Sequence, residues 1–170
     1  LLNSAKITEL DIASLNDLHK IPTTTKDDFA RNNSDFLCVP NQQIVDYATT
    51  SGTIGKPVIV ALTENDLQRL AYNEEQSFLM TGVTQSDVIQ LMLTLDRQFM
   101  AGMAYYLGAR KIGAAVIRSG AVSPAIQWEN IQRFNATVLV AVPSFIVKMI
   151  AYAHAHRCVC SDTSVRRRDL

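Results

Sequence analysis

The sequence has no excess of either charge: 16 Lys and Arg balance 16 Asp and Glu across 170 residues. A general nucleic-acid binder carries a basic surplus, so this balance argues against one. Cysteine is scarce. The three cysteines are Cys38, Cys158 and Cys160, an odd count with two of them a single residue apart, and this is not a secreted disulfide framework. No N-terminal stretch combines a basic start, an apolar run and a small-residue cleavage site. Long hydrophobic runs are missing too. The most apolar window, Thr137–Ala153, is broken by Pro143 and Lys148 and falls short of the ~20 apolar residues of a spanning helix. There is no internal repeat and no low-complexity linker. These absences describe a soluble, cytoplasmic protein without a nucleic-acid or membrane partner. The chain opens at Leu1 in a polar segment rather than at methionine, which is expected of a piece of a longer protein.

What is present suits a folded domain. Hydrophobic residues make up 48% of the chain, which excludes wholesale disorder. A chain of this length can bury roughly 70% of the surface its unfolded form exposes. Along the chain, Leu1–His19 has weak helical periodicity. Thr24 or Thr25 then caps a short helix that ends at Asn32-Asn33-Ser34. Ile44–Thr50 and Pro57–Leu62 read as two strands around a glycine-bracketed loop, a β-hairpin. Thr63, with Asp66 three residues on, caps a helix whose apolar face is Leu67, Leu70, Ala71, Phe78 and Leu79. Strand and helix alternate from there. Val88–Leu95, Ala114–Ile117 and Thr137–Val142 are predicted strands, and Phe99–Ile112, Pro124–Phe134 and Ser144–His156 are predicted helices. Fully apolar strands alternating with helices imply an α/β fold, a parallel sheet covered on both faces. The tail Arg157–Leu170 loses periodicity.

The stretch Thr49-Thr50-Ser51-Gly52-Thr53-Ile54-Gly55-Lys56-Pro57 carries the most chemistry. Two glycines permit close backbone approach, and successive N–H groups in such a loop can form an anion-binding concavity. Thr50, Ser51 and Thr53 add hydroxyls, and Lys56 adds a point charge suited to phosphate. The pattern is not a Walker A loop. Position 50 is Thr rather than Gly, and position 57 is Pro where that motif has the magnesium-binding Ser or Thr. A plain Gly/Thr hairpin turn is the alternative.

The loop resembles the Ser-Gly-Thr-Thr-Gly-Lys-Pro loop of adenylate-forming enzymes, and its flanks resemble those of the phenylacetate-coenzyme A ligases. Lys20-Ile-Pro-Thr-Thr-Thr-Lys-Asp-Asp28 is similar to their Leu-Pro-x-Thr-Thr-Lys-x-Asp-Leu, and Phe36-Leu-Cys-Val-Pro40 to their Gly-Leu-Phe-Ala-Val-Pro. Leu107–Ile117 and Val140–Ser144 follow in order, so the resemblance runs from about residue 10 to about residue 153. Ile54 departs from it inside the loop. So do Thr94-Leu95-Asp96-Arg97-Gln98, where the family is aromatic- and glycine-rich, and Ser119-Gly120-Ala121, where it has Ser-Gly-Gly.

The resemblance implies that residues 1–156 belong to the large N-terminal domain of a considerably longer AMP-forming acyl-coenzyme A ligase. The hairpin would carry the phosphate loop, 157–170 would form an irregular tail, and the C-terminal lid with its catalytic lysine would lie elsewhere. It implies ATP, magnesium and coenzyme A, and a small carboxylic acid as substrate. Thr50, Ser51, Gly52, Thr53, Gly55 and Lys56 would take the β- and γ-phosphates. Asp96, Arg97, Phe99, Ser119 and Gly120 are candidate pocket residues, since ligands bind at the carboxyl ends of strands in such sheets. A local ion pair is the other reading of Asp96 and Arg97, and helix core the other reading of Phe99. A truncated sheet would expose an edge, so self-association is expected. No catalytic residue is assigned within the chain, and a fragment is expected to be inactive alone. The alternative function is a non-catalytic nucleotide- or partner-binding domain. His154, His156, Cys158 and Cys160 are candidate zinc ligands by residue type. A helix end running into an irregular tail is the other reading there, as a solvated tail is for Arg166–Arg168 against contact with a coenzyme A phosphate.

Overall fold

The computed structural model describes residues 5–50, 57–158 and 163–165. The chain divides into two units, Leu1–Cys38 with Ser51–Ile59, and Val39–Thr50 with Val60–Leu170.

The smaller unit is organised by local hydrogen bonds. Its helical elements are two 3-10 turns, Glu9–Asp11 and Leu15–Lys20, then α1 (Lys26–Arg31) and a further turn, Asn33–Phe36, and none contains a buried residue. The helical periodicity of Leu1–His19 thus yields separate turns. The reason is visible in the side chains. Asp11 accepts from Thr8, and Asp17 accepts from Ser14, so a second capping pair restarts the chain after the first turn. Thr25, not Thr24, caps α1. Its hydroxyl oxygen accepts from the Asp28 N–H at 3.1 Å, and the Asp28 carboxylate accepts from the Thr25 hydroxyl at 2.6 Å. Phe29 and Phe36 meet edge to face at 4.7 Å. Asn33 clasps Ile59 through both its amide atoms, donating to the carbonyl at 2.8 Å and accepting from the N–H at 3.1 Å.

β1 (Ile44–Thr49) pairs with β2 (Ile59–Thr63), which but for Ile59 belongs to the larger unit, in a two-stranded antiparallel sheet, so the two predicted strands are neighbours, as expected. β2 starts two residues later than predicted, after Pro57, whose nitrogen has no hydrogen to give a strand partner. Thr63 then caps α2 (Glu64–Met80). Its hydroxyl accepts from the Asp66 N–H at 3.3 Å while Asp66 accepts from the Thr63 N–H at 2.9 Å. Ala71 and Phe78 are buried on the inner face, whereas Leu79 is exposed.

Three parallel strands follow: β3 (Val88–Leu91), β4 (Ala115–Arg118) and β5 (Val138–Val140), in the order β4-β3-β5. The register aligns Val88 with Ala115 on one side and Ile89 with Val138 on the other. The helices between and after them are α3 (Met100–Ile112), α4 (Pro124–Phe134) and α5 (Pro143–His156). Two cores result. Ile89 and Leu91 pack with Phe78, Val83, Ala109 and Ala114 beneath α2 and α3. Met92 packs with Ile131, Ala136 and Met149 beneath α4 and α5. A central strand covered on both faces is what the apolar runs predict.

The strands are shorter than those runs suggest. β3 ends at Leu91 rather than Leu95, although Met92 still donates its N–H to the Val140 carbonyl at 2.9 Å. Beyond it the Thr94 carbonyl lies against Gly102 of α3, so closely that a Cβ on Gly102 would fall 1.9 Å from the oxygen. The backbone of 94–98 is committed to that approach and to a turn, and leaves the sheet. β5 likewise loses Thr137 to a side-chain role. The Thr137 hydroxyl donates to Asp87 at 2.8 Å and accepts from the Val88 N–H at 3.0 Å.

Candidate functional site

The carboxyl ends of β3 and β4 open into a cleft of about 610 Å³. Asp96 and Arg97 come from the segment after β3, and Arg118, Ser119 and Gly120 from the end of β4 and the loop after it. Four of the five predicted pocket residues therefore share one cavity. Phe99 does not. It is the residue before α3, and it lines a separate, smaller space of about 130 Å³ with Tyr47, Ala48, Leu95 and Met103.

Each wall of the cleft has a physical cause. Arg97 and Gln98 adopt left-handed backbone, φ 57° and 58°, which non-glycine residues enter reluctantly. That turn projects Asp96 and Arg97 as an exposed pair, Nε to Oδ2 at 3.9 Å. On the opposite wall, the Leu91 carbonyl accepts from the Ser119 hydroxyl at 2.9 Å and from the Gly120 N–H at 3.1 Å. Gly120 has φ 66°, and a Cβ built on it would meet nothing within 4 Å, so its outer side faces open space. The Arg118 guanidinium lies 5.4 Å from the centre of the Tyr106 ring. Among the described residues no carboxylate is paired with Arg118, so it is the uncompensated cation of the cleft.

Arg118 was not among the predicted pocket residues. Its position at the end of a predicted strand was the available signal. The buried pair Gln90 and Gln127 was also missed, although a glutamine inside Val-Ile-Gln-Leu is conspicuous in a strand covered on both faces.

The loop residues Ser51, Gly52, Thr53, Gly55 and Lys56 lie outside the described residues. Thr50 is described, directly after β1. Cys160 and Arg166–Arg168 also fall outside them. His154 is exposed at the end of α5. The His156 ring stacks on Tyr152 at 3.9 Å, and its Nδ1 lies 3.0 Å from the Tyr152 carbonyl oxygen. Cys158 is half-buried. Among the described residues no three His, Cys, Asp or Glu side chains gather as a metal site would require. Nor is any helix there long and apolar enough to cross a membrane.

The fold and the loop sequence belong to a recognisable class. A family model described as AMP-binding enzyme matches residues 4–167, so the chain belongs to the AMP-binding enzyme family. Among curated relatives, the phenylacetate-coenzyme A ligase of Escherichia coli (strain K12) is 32% identical over 141 residues, covering 82% of this chain and 32% of the relative. That of Thermus thermophilus is 29% identical over 147 residues, covering 85% and 33%. The chain thus spans about a third of the length of these relatives. Among solved structures, 2-hydroxyisobutyryl-CoA ligase in complex with 2-HIB-AMP and CoA superposes with a TM-score of 0.83 at 18% identity, over 96% of this chain and 36% of that one. An acyl-CoA synthetase of Brucella canis gives 0.55 over 66% of this chain and 20% of its own. These likenesses establish the fold as that of adenylate-forming CoA ligases.

Proposed function

We propose that the chain is part of an enzyme that activates a carboxylic acid with ATP, forming acyl-AMP and pyrophosphate, and then transfers the acyl group to coenzyme A. The observation that carries this reading is the Thr50–Lys56 loop within a chain of the AMP-binding enzyme family. The task is electrostatic. A carboxylate attacks the α-phosphate while negative charge grows on the departing pyrophosphate. Preorganised N–H groups, hydroxyls and a lysine stabilise that charge. Thr50, Ser51, Gly52, Thr53, Gly55 and Lys56 are assigned to the β- and γ-phosphates. Magnesium would enter with ATP, and no side chain among the described residues is assigned to it.

The cleft at the ends of β3 and β4 is assigned to the acid. Its described lining contains no aromatic ring and includes Thr94, Asp96, Arg97, Arg118 and Ser119. Such a lining suits an acid with a further polar or anionic group better than an arylacetate. In the same proposal, residues 1–156 form part of the large N-terminal domain, 157–170 are a tail, and the lid domain lies outside these residues. The enzyme is cytoplasmic, and this piece alone does not turn over. Self-association is included because β4 and β5 are outer strands among the described residues and Val142, Val147 and Ile150 are exposed.

The test is acid-dependent exchange of pyrophosphate into ATP by the full-length protein, followed by thioester formation when coenzyme A is added. Exchange that ignores every acid offered overturns the reading in favour of a non-catalytic nucleotide- or partner-binding domain.

A further inference from the structure

Behind the Gly120 wall, two glutamines are fully buried in an otherwise apolar layer. Gln90 of β3 and Gln127 of α4 are both 0% exposed. Burying an amide without partners costs a few kcal/mol, so each placement calls for hydrogen bonds. Gln127 Nε2 donates to the Gly120 carbonyl at 2.7 Å. Gln90 Nε2 donates to Gln127 Oε1 at 2.6 Å and to the Gln127 carbonyl at 3.1 Å.

The direction of this relay follows from its outer end. The Gly120 carbonyl can only accept, so Gln127 must present its nitrogen there and its oxygen to Gln90. Gln90 must then present its nitrogen to Gln127. Its own oxygen is left buried without a partner among the described residues. An unpaired buried acceptor is unfavourable. The relay is therefore satisfied where it meets Gly120 and incomplete where it meets the sheet. Open space lies beside the Cα of Gly120, so no packing there resists movement of the wall. The Leu91 carbonyl and the Gln127 amide hold it from behind.

We propose that Gln127, which does not line the cleft, is a positioning residue that sets where the Ser119–Val122 wall stands and thereby sets affinity for the acid. This rests on the assignment of the cleft as the acid subsite.

The experiment uses full-length protein with Gln127→Met and Gln127→Leu, each of which removes the side-chain bonds to Gly120 and Gln90 and leaves Gln90 only the Gln127 backbone carbonyl. Gln90→Met is the second, milder variant, because it leaves the Gln127–Gly120 bond in place. Loss of one buried hydrogen bond worth about 1 kcal/mol predicts an acid KM raised about five- to ten-fold in the Gln127 variants, with the ATP KM within about two-fold of wild type. Amide hydrogen exchange across 119–122 is expected to accelerate in the same variants, and less in Gln90→Met. Ile131→Val, a core change elsewhere on α4, is the stability control and should leave both readouts unmoved. Equal shifts of acid and ATP KM, or an Ile131→Val effect as large as that of Gln127→Met, would overturn the proposal. If the wild-type protein shows no acid-dependent exchange of pyrophosphate, the functional reading fails by itself. The amide exchange still decides whether Gln127 holds the wall, and unchanged exchange at 119–122 rejects that role.

Discussion

The backbone N–H of Thr49 donates to the carbonyl oxygen of Gln98 at 3.1 Å. Thr49 is the last residue of the strand that enters the glycine loop, and Gln98 is the second left-handed residue of the turn that presents Asp96 and Arg97. One hydrogen bond thus ties the end of β1 to the turn that follows Asp96. Arg97 and Gln98 are ordinary residues held in a backbone conformation that favours glycine.

That mismatch has a measurable cost. A left-handed backbone costs an ordinary residue about 1–2 kcal/mol, while glycine gives back roughly 0.5–1 kcal/mol through the entropy of its unfolded state. Gln98→Gly should therefore leave stability unchanged or raise it by up to about 1 kcal/mol. Gln98→Val should lower it by about 1–2 kcal/mol, since a β-branched side chain is least tolerant of positive φ. Urea unfolding of the two variants provides the comparison, and a Val variant as stable as the Gly variant contradicts the strain.

The approach of α3 to its neighbours predicts two intolerant positions. A Cβ on Gly102 would lie 1.9 Å from the Thr94 carbonyl oxygen, and one on Gly108 would lie 2.4 Å from the Glu74 Cβ. Neither obstacle is the free end of a flexible side chain. Gly102→Ala and Gly108→Ala should each destabilise by about 1–3 kcal/mol or more, despite the higher helix propensity of alanine. Unfolding midpoints that rise instead would show that the helix can shift without loss.

Much of this architecture is legible in the sequence because its signals are local. Thr63 with Asp66 predicts the start of α2, and Pro124–Phe134 coincides with α4. The apolar runs predict a sheet buried on both faces. The ends of β3 and β5 were less legible, because they are decided by distant partners: Gly102 for the segment after Leu91, and Asp87 for Thr137. The Gln90–Gln127–Gly120 relay joins three elements across the fold, and no spacing rule announces it. Phe99 stands two residues from Arg97 in the chain yet lines another space, because the turn at Arg97 and Gln98 reverses the chain between them.

Two carboxyl groups should give opposite pH dependences. Hydrogen bonds from the Thr25 hydroxyl and backbone N–H, with help from Arg31, pull the Asp28 carboxyl down to about 2. A depressed value means the stabilisation is complete above the ordinary carboxylate range and is lost as pH falls through about 2. Asp28→Asn should therefore weaken α1 at neutral pH and flatten its acid melting. Glu74 is shifted upward by burial. Its charge carries a desolvation cost that is absent below the ordinary range and complete above the raised value. Glu74→Gln should then stabilise at neutral pH and have no effect in acid. Amide exchange of α1 and denaturant unfolding against pH read the two effects, and a Glu74→Gln benefit that persists at low pH would contradict the assignment.

Arg118 should govern which acid is accepted. It is the cleft cation without a carboxylate partner among the described residues, and the Tyr106 ring lies beneath its guanidinium. On a panel of acids, the full-length enzyme should prefer one with a second polar or anionic group over phenylacetate. Arg118→Ala should reduce that preference by roughly ten-fold, as expected for loss of a charge-assisted hydrogen bond, with little change in ATP use. Clear preference of the wild-type enzyme for phenylacetate would reject this assignment of the cleft.

Lys56 should act on the chemical step rather than on capture of the acid. Its proposed partners are the β- and γ-phosphates, which leave as pyrophosphate, so its charge matters most as negative charge accumulates there. Lys56→Ala should slow adenylate formation by roughly 1–3 kcal/mol of barrier, the scale of a hydrogen bond to a charged group. The loss is bounded because the loop backbone and hydroxyls remain. Ile54→Thr, which restores the residue usual in the resembling loops, should leave ATP use unchanged or improve it mildly. Gly52→Val should be more damaging than Lys56→Ala if the loop needs a positive φ there, because it would displace the N–H donors themselves. Pyrophosphate exchange at saturating acid with varied ATP separates these effects. A Lys56→Ala enzyme that exchanges at the wild-type rate at every ATP concentration would mean that the segment from Thr49 to Pro57 is a connecting turn and the phosphates are held elsewhere.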